Sequence, residues 1–140
     1  MGSVGAQLTA LRNEVSQLEP FNGREDAVVN PLIQNEDKIR EIQQIIEQRE
    51  IAGTLPEPEI KTVYLDRVYT DQQYLFKNKL NDMVDKPIHE FAAGYMYQGD
   101  VYIVDGNHRL ALAKLNNQEK ARVAVIDLDK KSRRRIFRRK

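Results

Sequence analysis

The stretch Val101–Leu115, VYIVDGNHRLALAKL, decides the fold. Val101 to Val104 are β-branched or aromatic and read as a strand, Asp105-Gly106 ends it, and HRLALAKL is made of helix formers with Leu112 and Leu115 directed inward. A strand is therefore delivered straight onto the first turn of a helix. The unpaired amides and the dipole of such a turn favour an anion, Gly106 lets the chain bend tightly against a ligand, and Arg109 offers a planar fork of donors that matches a phosphate. His108 can bond a phosphoryl oxygen or exchange a proton near neutrality. Three tasks are open to Asp105: capping the helix, orienting His108 or Arg109, or holding a divalent cation against phosphate oxygens. Physics favours the cap.

Working outward, Ile88 to Tyr97 and Asp100 to Val104 flank Gln98-Gly99 and predict a hairpin, and Ala121–Leu128 (ARVAVIDL) predicts a last, largely buried strand. Upstream, Ile60–Leu65 reads as a strand and Asp66–Thr70 as a loop. Phe76, Leu80, Met83 and Val84 fit a helix from about Asp71 to Val84, stopped ahead of Pro87. The order β, α, β, β, α, β implies an α/β (α+β) fold, a small mixed β-sheet with flanking helices, over residues 60–129. Before it, Leu8, Leu11, Val15 and Leu18 form a helical stripe over residues 7–18. Pro20, Asn22 and Gly23 open an irregular stretch reaching about Pro31, and a second helix is capped by Asn35 and stopped by Gly53. The two helices pack on the body or on a partner chain. TLPEPE, residues 54–59, is an extended linker because each Pro removes an amide donor and disfavours helix before it. The expected organisation is a helical N-terminal extension over 1–59, the α/β domain over 60–129 and a basic tail over 130–140.

The charge is distributed unevenly. The net +1 of 22 bases and 21 acids hides the last eleven residues, KKSRRRIFRRK, which carry eight bases and no acid, so that residues 1–129 stand at −7. Lys130, Lys131, Arg133, Arg134, Arg135, Arg138, Arg139 and Lys140 are candidate nucleic-acid contacts, since a dense cationic tail attracts polyanions in a salt-dependent way; a solubilising terminus or a peptide that docks on acidic neighbours is the other reading of the same run. With no Cys, disulfides, thiolate metal sites and Cys nucleophiles are excluded, and chemistry falls to His89, His108, carboxylates, hydroxyls, Lys and Arg. There is no run of about 18 apolar residues and no secretory leader pattern, so a soluble cytoplasmic protein without a membrane partner is expected.

The string IVDGNHRLALAKLN resembles the signature of the ParB/sulfiredoxin superfamily, a strand running into a D-G-x-H-R or G-E-R-R type box at the start of an Ala- and Leu-rich helix. VYLDRVYTDQQYLFKNKLNDM resembles the strand, Gln-containing loop and helix that begin such domains, KPIHEFAAGYMYQGDVYIVDG the hairpin, and ARVAVIDL the closing strand, so the resemblance covers residues 60 to 128. It implies a small ParB-like nuclease-type domain of the kind found in phage genomes, whose box binds nucleotide or nucleic-acid phosphates. Gly106, Asn107, His108 and Arg109 would then line the site, with Asp105 beside them and Gln72 or Gln73 facing from the loop, Gln73 being the one carried into the site. A sulfiredoxin needs Cys where Asn107 stands, which excludes that reductase chemistry here. A chromosome-partition protein continues into a helix-turn-helix domain, whereas this chain ends about twelve residues after its last strand. The box also reads GNHR rather than GERR.

Two functions compete. The first is a nuclease, nucleotide hydrolase or phosphotransferase on ATP, CTP or nucleic acid, with His108 as acid or base, Arg109 on the transition-state charge, and Asp105 or Glu90 supporting Mg²⁺ or Mn²⁺. The second is a non-catalytic DNA-binding or virion assembly protein, acting in the host cytoplasm or the virion if phage-encoded, that docks on protein partners or forms a homo-oligomer through residues 7–18 and 36–52.

Overall fold

The computed structural model describes residues 4–86 and 89–131. The basic positions Arg133, Arg134, Arg135, Arg138, Arg139 and Lys140 therefore lie outside the described residues, and Lys130 and Lys131 lie within them. In chain order the elements are α1 (Val4–Ser16), β1 (Ala27–Val29), α2 (Glu36–Ala52), β2 (Glu59–Tyr64), β3 (Val68–Tyr69), β4 (Tyr74–Phe76), α3 (Lys77–Asp85), β5 (Ala92–Tyr97), β6 (Asp100–Asp105), α4 (Asn107–Leu115) and β7 (Lys120–Asp127). They form a mixed α+β fold. The main sheet has the order β2-β7-β5-β6-β3, with β2–β7 and β5–β6 antiparallel and β5–β7 and β3–β6 parallel, and β1 pairs with β4 in a small second sheet.

The expected hairpin, closing strand and first strand are present, except that the first hairpin arm starts at Ala92 and not at Ile88, which lies outside the described residues. Gln98 at φ 52° and Gly99 at φ 84° give the β5–β6 turn two positive φ values in succession, the twist-matched geometry of two-residue hairpins. Asn35 accepts a hydrogen bond from Lys38 N at 3.1 Å, and Gly53 closes α2 in the left-handed conformation. Elsewhere the sequence reading needs correction. The helix expected over 71–84 begins only at Lys77, because Tyr74–Phe76 is drawn into a strand by the amides and carbonyls of β1, and the expected loop 66–70 contains β3, paired to β6.

Alternation along the strands splits the side chains between two faces. On one, Val101, Ile103, Val123 and Val125 pack with Leu110 of α4 and with Leu32. A neighbouring cluster joins Val15 of α1 to Leu80, Met83 and Val84 of α3 and Leu112 of α4, with Leu8, Leu11 and Leu18 packed against it. The α1 stripe is thus occupied by the chain's own body. Val28, Leu32 and Val15, all preceding residue 60, sit in these buried clusters, so the N-terminal segment is built into the packing of the sheet domain. On the opposite face α2 sets Ile39 and Ile42 against Tyr102 and Leu128, with Tyr95, Tyr97 and Ile126 beside them. Its mooring is ionic. Buried Asp100 receives Lys38 Nζ at 3.0 Å, Arg67 at 3.1 Å and the Tyr69 hydroxyl at 3.3 Å. Burial alone would raise the Asp100 carboxyl, but the hydrogen bonds and charges of Lys38 and Arg67 outweigh it and hold it below the ordinary range.

Helix α2 covers only part of that face. On β2 and the adjoining β7, Ile60, Thr62, Tyr64, Lys120 and Arg122 are exposed. No helix among the described residues is long and apolar enough to cross a membrane.

Candidate functional site

Strand β6 ends at Asp105, and Gly106 turns the chain at φ 92° into α4. Only glycine fits there: a Cβ would lie 2.5 Å from the Ala92 Cβ, and the φ is one that L side chains rarely adopt. Gly106 is itself the N-cap and, among the described residues, no side chain caps the first turn. This corrects the expectation that Asp105 caps the helix. Asp105 is the last residue of the strand and exposed, and the glycine between it and the helix takes the capping position. The amides that open α4 are thus left for solvent or a ligand.

Asn107 and His108 turn inward. Asn107 Oδ1 accepts hydrogen bonds from Thr70 Oγ1 at 2.6 Å and Asn30 Nδ2 at 3.2 Å, while its Nδ2 donates to Gln72 Oε1 at 3.3 Å. The knot continues through Asn30, which donates to the Gln72 carbonyl and accepts from Leu32 N, both at 3.0 Å, and through Thr70 Oγ1, which accepts from Gln72 N. The Asn107 side chain, which the resemblance placed in the phosphate site, lines the cleft there while its amide is engaged by Thr70, Asn30 and Gln72. Sequence reasoning missed Asn30 and Thr70; their only signal was a buried amide in the box that needed partners.

His108 is buried, and its Nε2 accepts the Phe76 amide at 3.0 Å. Burial, with a smaller contribution from the charge of Lys79, pushes its pKa down to about 4. The expectation of a proton exchanged near neutrality is corrected accordingly: the ring is neutral at pH 7 and its Nε2 lone pair is engaged. The proton then sits on Nδ1. Nδ1 has no hydrogen-bond partner among the described residues.

Gly106, Asn107, His108, Arg109 and Asp105 line one cleft of about 440 Å³, together with Gln72, Phe76, Lys79, Glu90 and Phe91. Gln73 does not belong to it. It is exposed and lines a separate depression beside Gln34, Glu36 and Arg40, so Gln72 is the facing-loop residue that reaches the box. Glu90 is brought to the cleft and His89 is not. Lys114 donates to the Pro31 carbonyl at 2.8 Å. Arg109 is half-buried and has no hydrogen bond or ion pair among the described residues. It also borders a second cleft, of about 680 Å³. Of the two described tail residues, Lys130 pairs with Glu59 at 2.6 Å and Lys131 is exposed.

Groups of three or more His, Cys, Asp or Glu side chains arranged to hold a metal do not occur among the described residues. Asp105 and Glu90 are two carboxylates on one cleft, a set that fits Mg²⁺ or Mn²⁺ only where substrate phosphates complete the coordination. No protein-family profile, curated protein or solved structure matches this chain.

Proposed function

We propose that this chain is a phosphate-binding α/β domain of the ParB/sulfiredoxin kind that takes nucleotide or nucleic-acid phosphates into the cleft at the start of α4. The observation that carries the reading is Arg109, a half-buried guanidinium without an acidic partner among the described residues, in the same first turn as the uncapped amides. Leaving such a cation unpaired costs solvation that a bound anion would restore. Arg109 would grip the phosphate bidentately, the amides of the first turn would donate to its second face, and the Nδ1–H of His108 would add a neutral donor. Asn107 positions rather than binds, through Thr70 and Asn30.

A hydrolytic reading is favoured by one further observation, that Asp105 and Glu90 share the cleft with Arg109. A phosphate-bridged Mg²⁺ or Mn²⁺ held by them would supply Lewis-acid chemistry when bound. Arg109 would then neutralise developing charge, and the base would not be His108 Nε2. Docking on partners through residues 7–18 finds no support in a stripe already packed against α3 and α4.

Titration of the protein with ATP and with CTP, by calorimetry, tests the reading. Arg109→Ala is expected to weaken binding roughly ten- to a hundredfold, the worth of a charge-assisted hydrogen bond. Absence of binding by either nucleotide, or an Arg109→Ala affinity equal to wild type, overturns it. Metal-dependent phosphate release or strand cleavage that is lost in Asp105→Asn would establish hydrolysis; binding without turnover would leave a binding domain.

A further inference from the structure

We propose that the second cleft, on the far side of Arg109, is a track for single-stranded nucleic acid running from Tyr64 to Phe76. Residues 1–129 carry a net charge of −7, yet the lining of this cleft contains Arg109, Lys120 and Arg122 and no acid. Elsewhere the described cations are widely engaged: Lys38 and Arg67 by Asp100, Lys61 by Asp127, Arg12 by Asp85, Arg24 by Asp26, Arg49 by backbone carbonyls. Lys120 and Arg122 have no carboxylate among the described residues. Each sits instead over an exposed ring, Lys120 Nζ 5.2 Å from the centre of Tyr64 and the Arg122 guanidinium 5.4 Å from that of Phe91.

Those rings are open to solvent. Tyr64 is 48% exposed, Phe91 42% and Phe76 44%, and Phe76 lies parallel to the His108 ring at the far end of the track. The two clefts share Met83, Phe91 and Arg109, so their linings join Lys120, Phe91 with Arg122, then Arg109, then Phe76 with Lys79, and Tyr64 stands at the rim of the second cleft under the Lys120 ammonium. Alternating aromatic faces and unpaired cations are what a splayed strand requires, bases stacking on the rings and phosphates meeting the bases' intervening cations. A duplex keeps its bases inside and cannot use the rings. The floor of Leu8, Leu11 and Met83 adds apolar surface for a base face.

The proposal extends the phosphate-cleft reading through the shared Arg109, but Tyr64, Lys120 and Arg122 lie outside that cleft and carry the test. Fluorescence anisotropy of the full chain with a labelled oligothymidylate of about 12 nucleotides is the measurement, the basic tail being present in every variant. Tyr64→Ala is expected to weaken binding roughly tenfold, Tyr64→Phe to keep it, and the Lys120→Ala/Arg122→Ala pair to weaken it and flatten the salt dependence. ATP and CTP affinities should not change in these variants. Thermal melts keep loss of folding distinct from loss of binding.

Equal affinity of Tyr64→Ala, the cation pair and wild type overturns the proposal and assigns any retention to the tail. Equal displacement of the oligonucleotide by polyglutamate also overturns it, because an acidic polypeptide has charge but no bases to stack. Oligonucleotide binding that depends on Tyr64 while neither nucleotide binds would support the track and defeat only the reading of the phosphate cleft.

Discussion

The outer face of the main sheet has two halves built from the same kinds of residue and covered differently. Under α2, Tyr95, Tyr97 and Tyr102 are packed among isoleucines, and the nearby cations Lys38 and Arg67 converge on one buried carboxylate, Asp100. On β2 and β7, Tyr64 is bare and Lys120 and Arg122 have aromatic rings where the other half has an acid. Aromatic and basic residues in strands are thus uninformative by type. What separates the packed half from the bare one is whether a helix and an acid arrive to cover them, and the helix reaches only one half.

The comparison can be broken most forcefully on the covered side. Tyr102→Ala should cost about 3 to 4 kcal/mol, the range for deleting a buried aromatic, because the ring packs under Ile39 and Ile42 and its hydroxyl links Gln43 to Asp71; urea unfolding would measure it. Acid should come next. His108 has a folded pKa near 4 against 6.5 in the unfolded chain, so its contribution is fully present above pH 6.5 and is lost as pH falls toward 4. The loss is expected to reach about 3 kcal/mol. It should show in pH-dependent unfolding and be absent from the slope of His108→Leu, whatever that variant's stability at pH 7. Asp100 and Asp127, held below their ordinary values, act in the same direction only at lower pH, below about 4.

Asp100→Asn is expected to lose about 2 kcal/mol, less than the full cost of a broken buried pair because Lys38 and Arg67 are close to half exposed and can return to water. The smallest effect sharpens the contrast. Tyr64→Ala on the bare half should change stability by about 0.5 kcal/mol or less, measured in the same urea series. A loss as large as that of Tyr102→Ala would place Tyr64 in the core and end the distinction between the halves.

Much of the architecture was legible because it depends on neighbours in sequence. Gln98-Gly99 announces its own turn, Asn35 and Gly53 bracket α2, and the DGNHR box does lie at the junction of strand and helix. The short strands were not legible. Tyr74–Phe76 and Ala27–Val29 have three residues each and no periodicity of their own; each is a strand only because the other is beside it. The site followed the same rule. Gly106 turns the chain at positive φ and Arg109 lines the cleft, positions that local chemistry suggests, whereas Asn107 and His108 were redirected by Thr70, Asn30 and the Phe76 amide, partners that lie 37, 77 and 32 positions away. Asp105 failed as a cap for a local reason that was visible: a glycine needing positive φ stood in the capping position.

The bond from Asn30 to Asn107 also sets an order of events in folding. The β5–β6 hairpin closes over a two-residue turn and needs nothing distant, but the box is complete only when the segment around Asn30 has returned across a span of 77 residues. Closure of so long a loop comes late relative to local pairing. A chain with its hairpin made and its N-terminal segment still free would have the residues of the box without its shape. A phosphate ligand of the proposed kind would bind the finished molecule alone and stabilise it by mass action, which would make the return of binding during refolding a clock for the last step rather than the first.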